Sequence, residues 1–324
     1  MQKSDLTSSQ LQLIDCAIQT TFSHKEWVLL EELGGGLSTS ILYKIGIDDY
    51  AYVVRLSDPS HPHNNLELEY MAMKLAATQA LAPQLYYADP QTGIALMEFI
   101  RGSSLYASRA DSSKLMPEIA CMIRTLHQGP AFQNGIPITD KVEILFKQIR
   151  PDLAATTLMQ HGMAQMHKLA PQLKAPDDKR PSHCDINPGN LLFDGSQLWL
   201  VDWALAAQEN LYFDLACCSN FFFYQNKERE EAFLHAYFER PLTLLETEKY
   251  TRMRTFVNIF YGVMFVYLSG MHGAPLLDWE EIDLLPDYPQ FLARIGQGQE
   301  SMENPLTLQR LGFVYLKAVQ SSKL

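Results

Sequence analysis

His183-Cys-Asp185-Ile-Asn-Pro-Gly-Asn190 runs into the apolar stretch Leu191 to Val201, which ends on Asp202-Trp203. Asn-Pro-Gly-Asn is turn composition, so His183, Asp185 and Asn190 stand on a loop. Residues 191–193 and 198–202 read as two short strands. Asp194-Gly195 between them is a strong hairpin signal. The hairpin reverses the chain, and Asp202 at its far end faces back toward the loop.

Phosphoryl transfer asks for these parts. A carboxylate must accept the hydrogen bond, and then the proton, of an attacking hydroxyl. Oxygen ligands must hold magnesium on the phosphates, and the parts must be rigid relative to one another. Asp185 followed by Asn190 has the H-x-D-x-x-x-x-N spacing of kinase catalytic loops. Asp185 is the candidate base, and Asn190 and Asp202 are candidate magnesium ligands with the hard oxygens that ion accepts. His183 reads as a brace for the loop. A surface turn would explain His-x-Asp alone, but not the hairpin that returns Asp202 at this spacing.

Upstream, Gly34-Gly35-Gly36 lies between two predicted strands, where backbone N–H groups can approach phosphates. Arg55 ends a strand about twenty residues later, where kinases place a phosphate-binding lysine. An arginine fork suits that task. Glu69, on the next predicted helix, is the candidate to orient Arg55. Taken singly, each of these would pass for a turn or a solvated charge; their order along the chain carries the argument.

The surrounding pattern is α+β. Trp27–Glu31, Ile41–Ile47, Ala51–Leu56, Gln84–Ala88 and Ile94–Ile100 read as strands, and 66–79 as a helix with Leu68, Met71, Ala72 and Leu75 on one face. Beyond residue 102 helices dominate, at 115–126, 139–149, 156–170, 211–224, 227–239, 246–270 and 306–320. The expectation is a small N-terminal nucleotide-binding lobe over residues 1–100, with an antiparallel sheet and a helix. A larger, mainly helical catalytic and substrate-binding lobe would follow over 101–324, with 96–102 as the bridge.

The chain has 324 residues, 47% apolar and 19% charged, with a formal net charge of −11. That composition supports a buried core and argues against disorder. The acidic surface makes nucleic acid a poor partner and would help a cationic substrate. The five cysteines form no C-x-x-C pair, which fits a reduced, cytoplasmic protein. No signal peptide is read at the N-terminus. Phe256–Leu268, the most apolar run, falls short of the roughly 20 residues that span a bilayer and reads as a buried helix, not a membrane segment.

From about residue 30 to about residue 220 the chain resembles the aminoglycoside phosphotransferase and choline/ethanolamine kinase superfamily. The resemblance is strongest in Gly34–Ser40, Tyr52–Leu56, Glu69–Tyr87, Leu96–Gly102 and His183–Asp214. Leu81-Ala-Pro-Gln-Leu-Tyr-Tyr87 and Gly-Gly-Gly-Leu-Ser-Thr-Ser are similar to sequences of bacterial choline kinase-like proteins. The resemblance implies a bilobal protein-kinase-like fold and a kinase that uses ATP and Mg2+. Glu98 and Ile100 would offer backbone groups to adenine, Ser38 would lie over the phosphates, and Asp214 would support the centre structurally.

The implied acceptor is the hydroxyl of a small alcohol, with choline or ethanolamine leading and thiamine or an aminoglycoside as alternatives. A cationic acceptor would want aromatic faces and carboxylates. Trp203, Trp279 and Glu280 are the candidate contacts. Amino-alcohol kinases commonly read Asp-Phe/Trp-Glu-Tyr where this chain has Asp202-Trp203-Ala204-Leu205, so a carboxylate and a ring are missing. A nucleotide-binding pseudokinase without turnover is the rival of a different class, and the intact Asp185, Asn190 and Asp202 argue against it.

Overall fold

The computed structural model describes residues 3–23, 25–34, 40–61, 64–108, 115–224 and 226–321. Two compact units form: Met1–Gly135 with Arg180–Gln208, and Ile136–Lys179 with Glu209–Leu324. The expected boundary at residue 100 is therefore not where the units divide.

The first unit opens on α1 (Ser8–Phe22). Thr7 and Gln10 close a capping box at its start, each side chain accepting from the other's N–H. Five strands follow around one helix: β1 (Val28–Leu33), β2 (Ile41–Ile47), β3 (Tyr50–Leu56), α2 (Leu66–Ala77), β4 (Leu85–Asp89) and β5 (Ile94–Glu98). They form one sheet in the order β1-β2-β3-β5-β4, every neighbouring pair antiparallel.

The two-residue period of a strand sorts the side chains onto two faces. Tyr43, Ile45, Ile47, Val54, Ile94 and Leu96 point to one face and pack with Ile14, Ala17 and Ile18 of α1. Ala95 points to the other face and packs with Leu66 and Tyr70 of α2. Arg55 is the neighbour of Val54 and pairs in register with Ala95. The alternation therefore turns Arg55 toward α2, the helix that carries Glu69.

The rest of this unit is shorter work. β6 (Ser103–Ser104) and α3 (Leu105–Ser108) lead to α4 (Met116–His127). α5 (Ile138–Phe146), α6 (Pro151–Ala154) and α7 (Thr157–Leu173) belong to the second unit. The chain then returns through β7 (Lys179–Ser182), the loop with Asp185, β8 (Leu191–Phe193), β9 (Leu198–Leu200) and β10 (Ala207–Asn210). The hairpin β8–β9 pairs Leu191 with Leu200 and Phe193 with Leu198, and β6 adds to it beside β8.

The second unit continues with α8 (Leu211–Phe222), α9 (Lys227–Phe238), α10 (Leu244–Met271), α11 (Trp279–Asp283), α12 (Tyr288–Gly296) and α13 (Pro305–Ser321). α10 has 28 residues and packs against α5, α7, α8 and α13. Gly262 and Gly312 permit the contact with α13: a Cβ on Gly312 would lie 2.8 Å from the Gly262 carbonyl oxygen. The apolar run expected to be a buried helix is the interior of α10, and Phe256, Val257 and Ile259 are fully buried there. No helix among the described residues is long and apolar enough to cross a membrane.

Candidate active site

The hairpin is held at its turn by one carboxylate. Asp194 Oδ1 accepts from the N–H groups of Ser196 (2.7 Å) and Gln197 (2.9 Å), and its Oδ2 accepts from the Trp199 indole at 2.8 Å. The Trp199 bond, with the backbone bonds, holds the Asp194 carboxyl well below the usual carboxylate range. Gly195 takes the left-handed conformation that the turn needs, at φ +99°. The turn thus aims the strand that ends beside Asp202.

His183 locks the loop to this hairpin. Its Nε2 lies 3.0 Å from the Val201 carbonyl oxygen and its Nδ1 lies 3.3 Å from the Asp185 backbone N. A carbonyl can only accept and an N–H can only donate, so these contacts call for the Nε2–H tautomer. The imidazole is fully buried against Trp203, ring centroids 4.7 Å apart. His183 is a brace, as its place in the motif suggests.

Asn190 reaches back across the loop. Its Nδ2 donates to Asp185 Oδ2 at 2.8 Å and to the Asp185 carbonyl at 3.0 Å. Both partners are acceptors, which fixes the amide with its NH2 toward Asp185 and its carbonyl oxygen away. The Val201 N–H donates to the Asn190 backbone carbonyl at 3.0 Å, tying loop to hairpin again. Cys184 and Asp202, one on each side of this arrangement, have φ of +63°. That region disfavours a side chain, and such backbone recurs where the surroundings over-determine a site.

Arg55 joins the sheet to this loop. Its Nη1 bonds Glu69 Oε1 and lies 3.9 Å from Asp202 Oδ1. Arg55 and Glu69 are buried. Burial pushes the Glu69 carboxyl up to about 7; the Arg55 guanidinium opposes the rise and the Asp202 carboxylate adds to it. Asp202 Oδ1 and Arg55 Nε are buried and make no hydrogen bond. An unsatisfied carboxylate oxygen beside an unsatisfied guanidinium N–H is costly in a finished core. It is what a polyanion with its cation would satisfy.

The donor set fits magnesium. No group of three or more His, Cys, Asp or Glu side chains that could hold a metal occurs among the described residues. Asn190 and Asp202 would supply two oxygen ligands. Magnesium usually keeps several waters and takes the rest of its shell from phosphates, so two suffice.

The remaining expectations divide. The Glu98 N–H is used within the sheet, donating to the Gln84 carbonyl at 2.9 Å, and the Glu98 side chain accepts from the Gln84 N–H at 3.2 Å. The Ile100 carbonyl accepts from Gly102 at 2.9 Å. Gly34 has open space around it. Gly35, Gly36 and Ser38 lie outside the described residues. Asp214 is fully buried in the first turn of α8.

Trp203 is a correction. It was expected against the acceptor, but it is 1% exposed, and its indole N–H donates to the Leu200 carbonyl at 3.2 Å. Its ring packs on His183 and Phe132. The large apolar surface of the indole is spent in the core beneath the loop. Trp279 and Glu280 stand exposed on α11 of the second unit, where Asp278 and Glu281 form the capping box. The sequence gives little sign of Asn187, since Asn-Pro-Gly reads as a bare turn, yet its side chain bonds within the loop.

Known proteins resemble this chain in sequence or in fold. A thiamine kinase of Escherichia coli strain K12 is 29% identical over 169 residues, which are 51% of this chain and 57% of that protein. The chain thus spans little more than half the length of the curated relatives it matches. Among solved structures, choline kinase LicA from Streptococcus pneumoniae superposes with a TM-score of 0.66 at 16% identity, covering 96% of this chain and all of that one. That kinase has also been solved in complex with AMP. An ethanolamine kinase of Plasmodium vivax gives 0.64 at 15% identity, covering 97% of this chain and 89% of that one. At such identities the likeness is one of fold. The family model described as the phosphotransferase enzyme family (APH) matches residues 30–256, more than half of the chain and a span that includes Arg55, Glu69, Asp185, Asn190 and Asp202, and this chain belongs to that family.

Proposed function

We propose that this protein is a small-molecule kinase that moves the γ-phosphoryl group of ATP onto the hydroxyl of a cationic alcohol. The observation that carries the reading is the Asp185–Asn190 bond, set beside the buried, unsatisfied Asp202 Oδ1 and Arg55 Nε. Asp185 accepts the hydrogen bond of the acceptor hydroxyl and takes its proton as the new P–O bond forms. Asn190 fixes the Asp185 side chain. Arg55, oriented by Glu69, binds a phosphate oxygen of the nucleotide. Asn190 and Asp202 hold magnesium, whose charge offsets that of the phosphate oxygens. Backbone groups at Glu98 and Ile100 receive the base, and Gly34, Gly35, Gly36 and Ser38 cover the phosphates.

Choline and ethanolamine are the first acceptors of this reading. Their hydroxyl stands two carbons from a cationic nitrogen, and the net charge of −11 favours cations. Thiamine carries a hydroxyethyl group on a cationic ring and belongs to the same chemical class. One observation favours it: relatives matched in sequence include thiamine kinases. Trp279 with Glu280 is the candidate cation contact. None of the five cysteines forms a disulfide, which suits a reducing, cytoplasmic setting.

The test is ADP release with ATP and magnesium in the presence of choline, ethanolamine, thiamine or an aminoglycoside. Release that depends on a cationic alcohol is the expected result, and the acceptor that supports it identifies the substrate. Nucleotide binding with no turnover on any acceptor would instead make the chain a binding protein.

A further inference from the structure

We propose that Asn187 is the positioning residue that sets Asn190 against Asp185; as a statement about catalysis this rests on the phosphoryl-transfer reading above. The turn between the two functional residues leaves backbone N–H groups at Gly189 and Asn190 that need acceptors. Asn187 Oδ1 supplies one for both, at 2.8 Å from the Gly189 nitrogen and 3.3 Å from the Asn190 nitrogen. The Asn190 N–H is shared with the Asn187 backbone carbonyl, at 3.1 Å.

Two backbone donors converge on one side-chain atom, so that atom is the oxygen and the amide orientation is fixed. Nδ2 then points the other way and donates to the Asp185 carbonyl at 3.3 Å. The same carbonyl receives Asn190 Nδ2. The bonds close a ring: Asp185 to Asn187, Asn187 to Asn190, Asn190 to Asp185. This is an Asx turn built between the base and the metal ligand.

The neighbours fit that task. Pro188 has no N–H to compete for the oxygen, and its carbonyl accepts from Tyr106 at 3.0 Å. A Cβ on residue 189 would lie 3.1 Å from Asn187 Oδ1, so glycine lets the oxygen approach. Asn187 therefore acts on the reaction through Asn190 and Asp185 and need not touch substrate.

The experiment compares Asn187→Ala with Asn187→Ser, whose hydroxyl can accept in a similar turn. Thermal melting first confirms that both fold. In Asn187→Ala, kcat should fall about tenfold or more with KM for ATP changed less than about twofold, because a small misplacement of reacting groups is costly. Asn187→Ser should recover at least about a third of the wild-type kcat through the same turn. Amide exchange at Gly189 should accelerate about tenfold in Asn187→Ala alone, one hydrogen bond being worth about that factor. A folded Asn187→Ala with near wild-type kcat, or a serine variant no better than alanine, overturns the proposal. Should the wild-type protein turn over no acceptor, the phosphoryl-transfer reading fails by itself. Gly189 exchange then still decides the turn, and unchanged protection in Asn187→Ala overturns it.

Discussion

Arg55 faces two carboxylates from the end of one strand, and the two are held differently. Glu69 is bound by it directly, whereas Asp202 Oδ1 stays 3.9 Å away and unsatisfied. The charge left over points at the place where phosphate and cation would meet. Asp185 is a third carboxylate, separate from those two, and its Oδ2 accepts from Asn190 Nδ2. This separation yields a specific outcome. Asp185→Asn should lower kcat by about a hundredfold or more, as loss of a general base does, while ADP affinity changes little. Steady-state ADP release and a nucleotide titration of the same variant check both halves. Turnover within a few-fold of wild type would remove Asp185 from the reaction. These residues were legible in the sequence because a loop motif and a hairpin have fixed spacing. Trp203 was not, because the motif gives its position and not the direction of its ring. Asn187 was missed since its contribution is a set of hydrogen bonds inside a turn of ordinary composition.

At the scale of elements, strands with clean alternation and long helices were readable, and short ones were not. β2 and β3 lie where the β-branched and aromatic runs put them, and Arg55 reaches α2 through the same alternation. β6 has two residues, too few for any period to register. α11 and α12 are short, but each begins at an aspartate that accepts from the residue three places on: Asp278 from Glu281 and Asp287 from Gln290. The capping pattern was the available signal. α10, the longest element, is fixed at its start in the same way. Thr243 and Glu246 form a capping box, and Arg240 sets a two-pronged contact on the Glu246 carboxylate at 2.7 and 2.8 Å. The Arg240 bonds first, then those from Thr243, hold the Glu246 carboxyl down at about 2, from 4.5. A depressed carboxylate stabilises the fold above its unfolded value and loses that contribution as pH falls from 4.5 toward 2. Arg240 is half exposed, so solvent screening limits the gain to about 1 kcal/mol. Glu246→Gln should be less stable than wild type by about that amount at neutral pH, with the gap closing near pH 2 to 3. Urea unfolding of the two proteins at both pH values measures it; a gap independent of pH would exclude the charge as its source.

Over the whole molecule, the change in texture near residue 100 suggested a boundary that the compact units do not follow. Residues 101–135 and 180–208 group with the N-terminal segment, since β6 pairs with β8 and α4 packs on β9. Pairing between segments far apart in sequence leaves no mark in local composition. As a result Arg55, Glu69, Asp185, Asn190 and Asp202 all belong to one unit, although the motifs that carry them lie more than a hundred residues apart. The charge of the chain, by contrast, is fully legible, and its consequence is independent of the fold. A net charge of −11 raises the local concentration of a cationic acceptor and opposes the approach of ATP. Salt screens both effects over a Debye length that shrinks from about 30 Å at 0.01 M to about 10 Å at 0.1 M. KM for a cationic acceptor should therefore rise by about two- to fourfold over that range while KM for ATP stays level or falls. Initial rates with each substrate varied at the two salt concentrations separate the trends. If both constants moved together, salt would be acting on the stability or the metal and not on the field. If acceptor KM fell instead, the cationic class itself would be wrong, and a neutral or anionic alcohol would take its place in the reaction at Asp185.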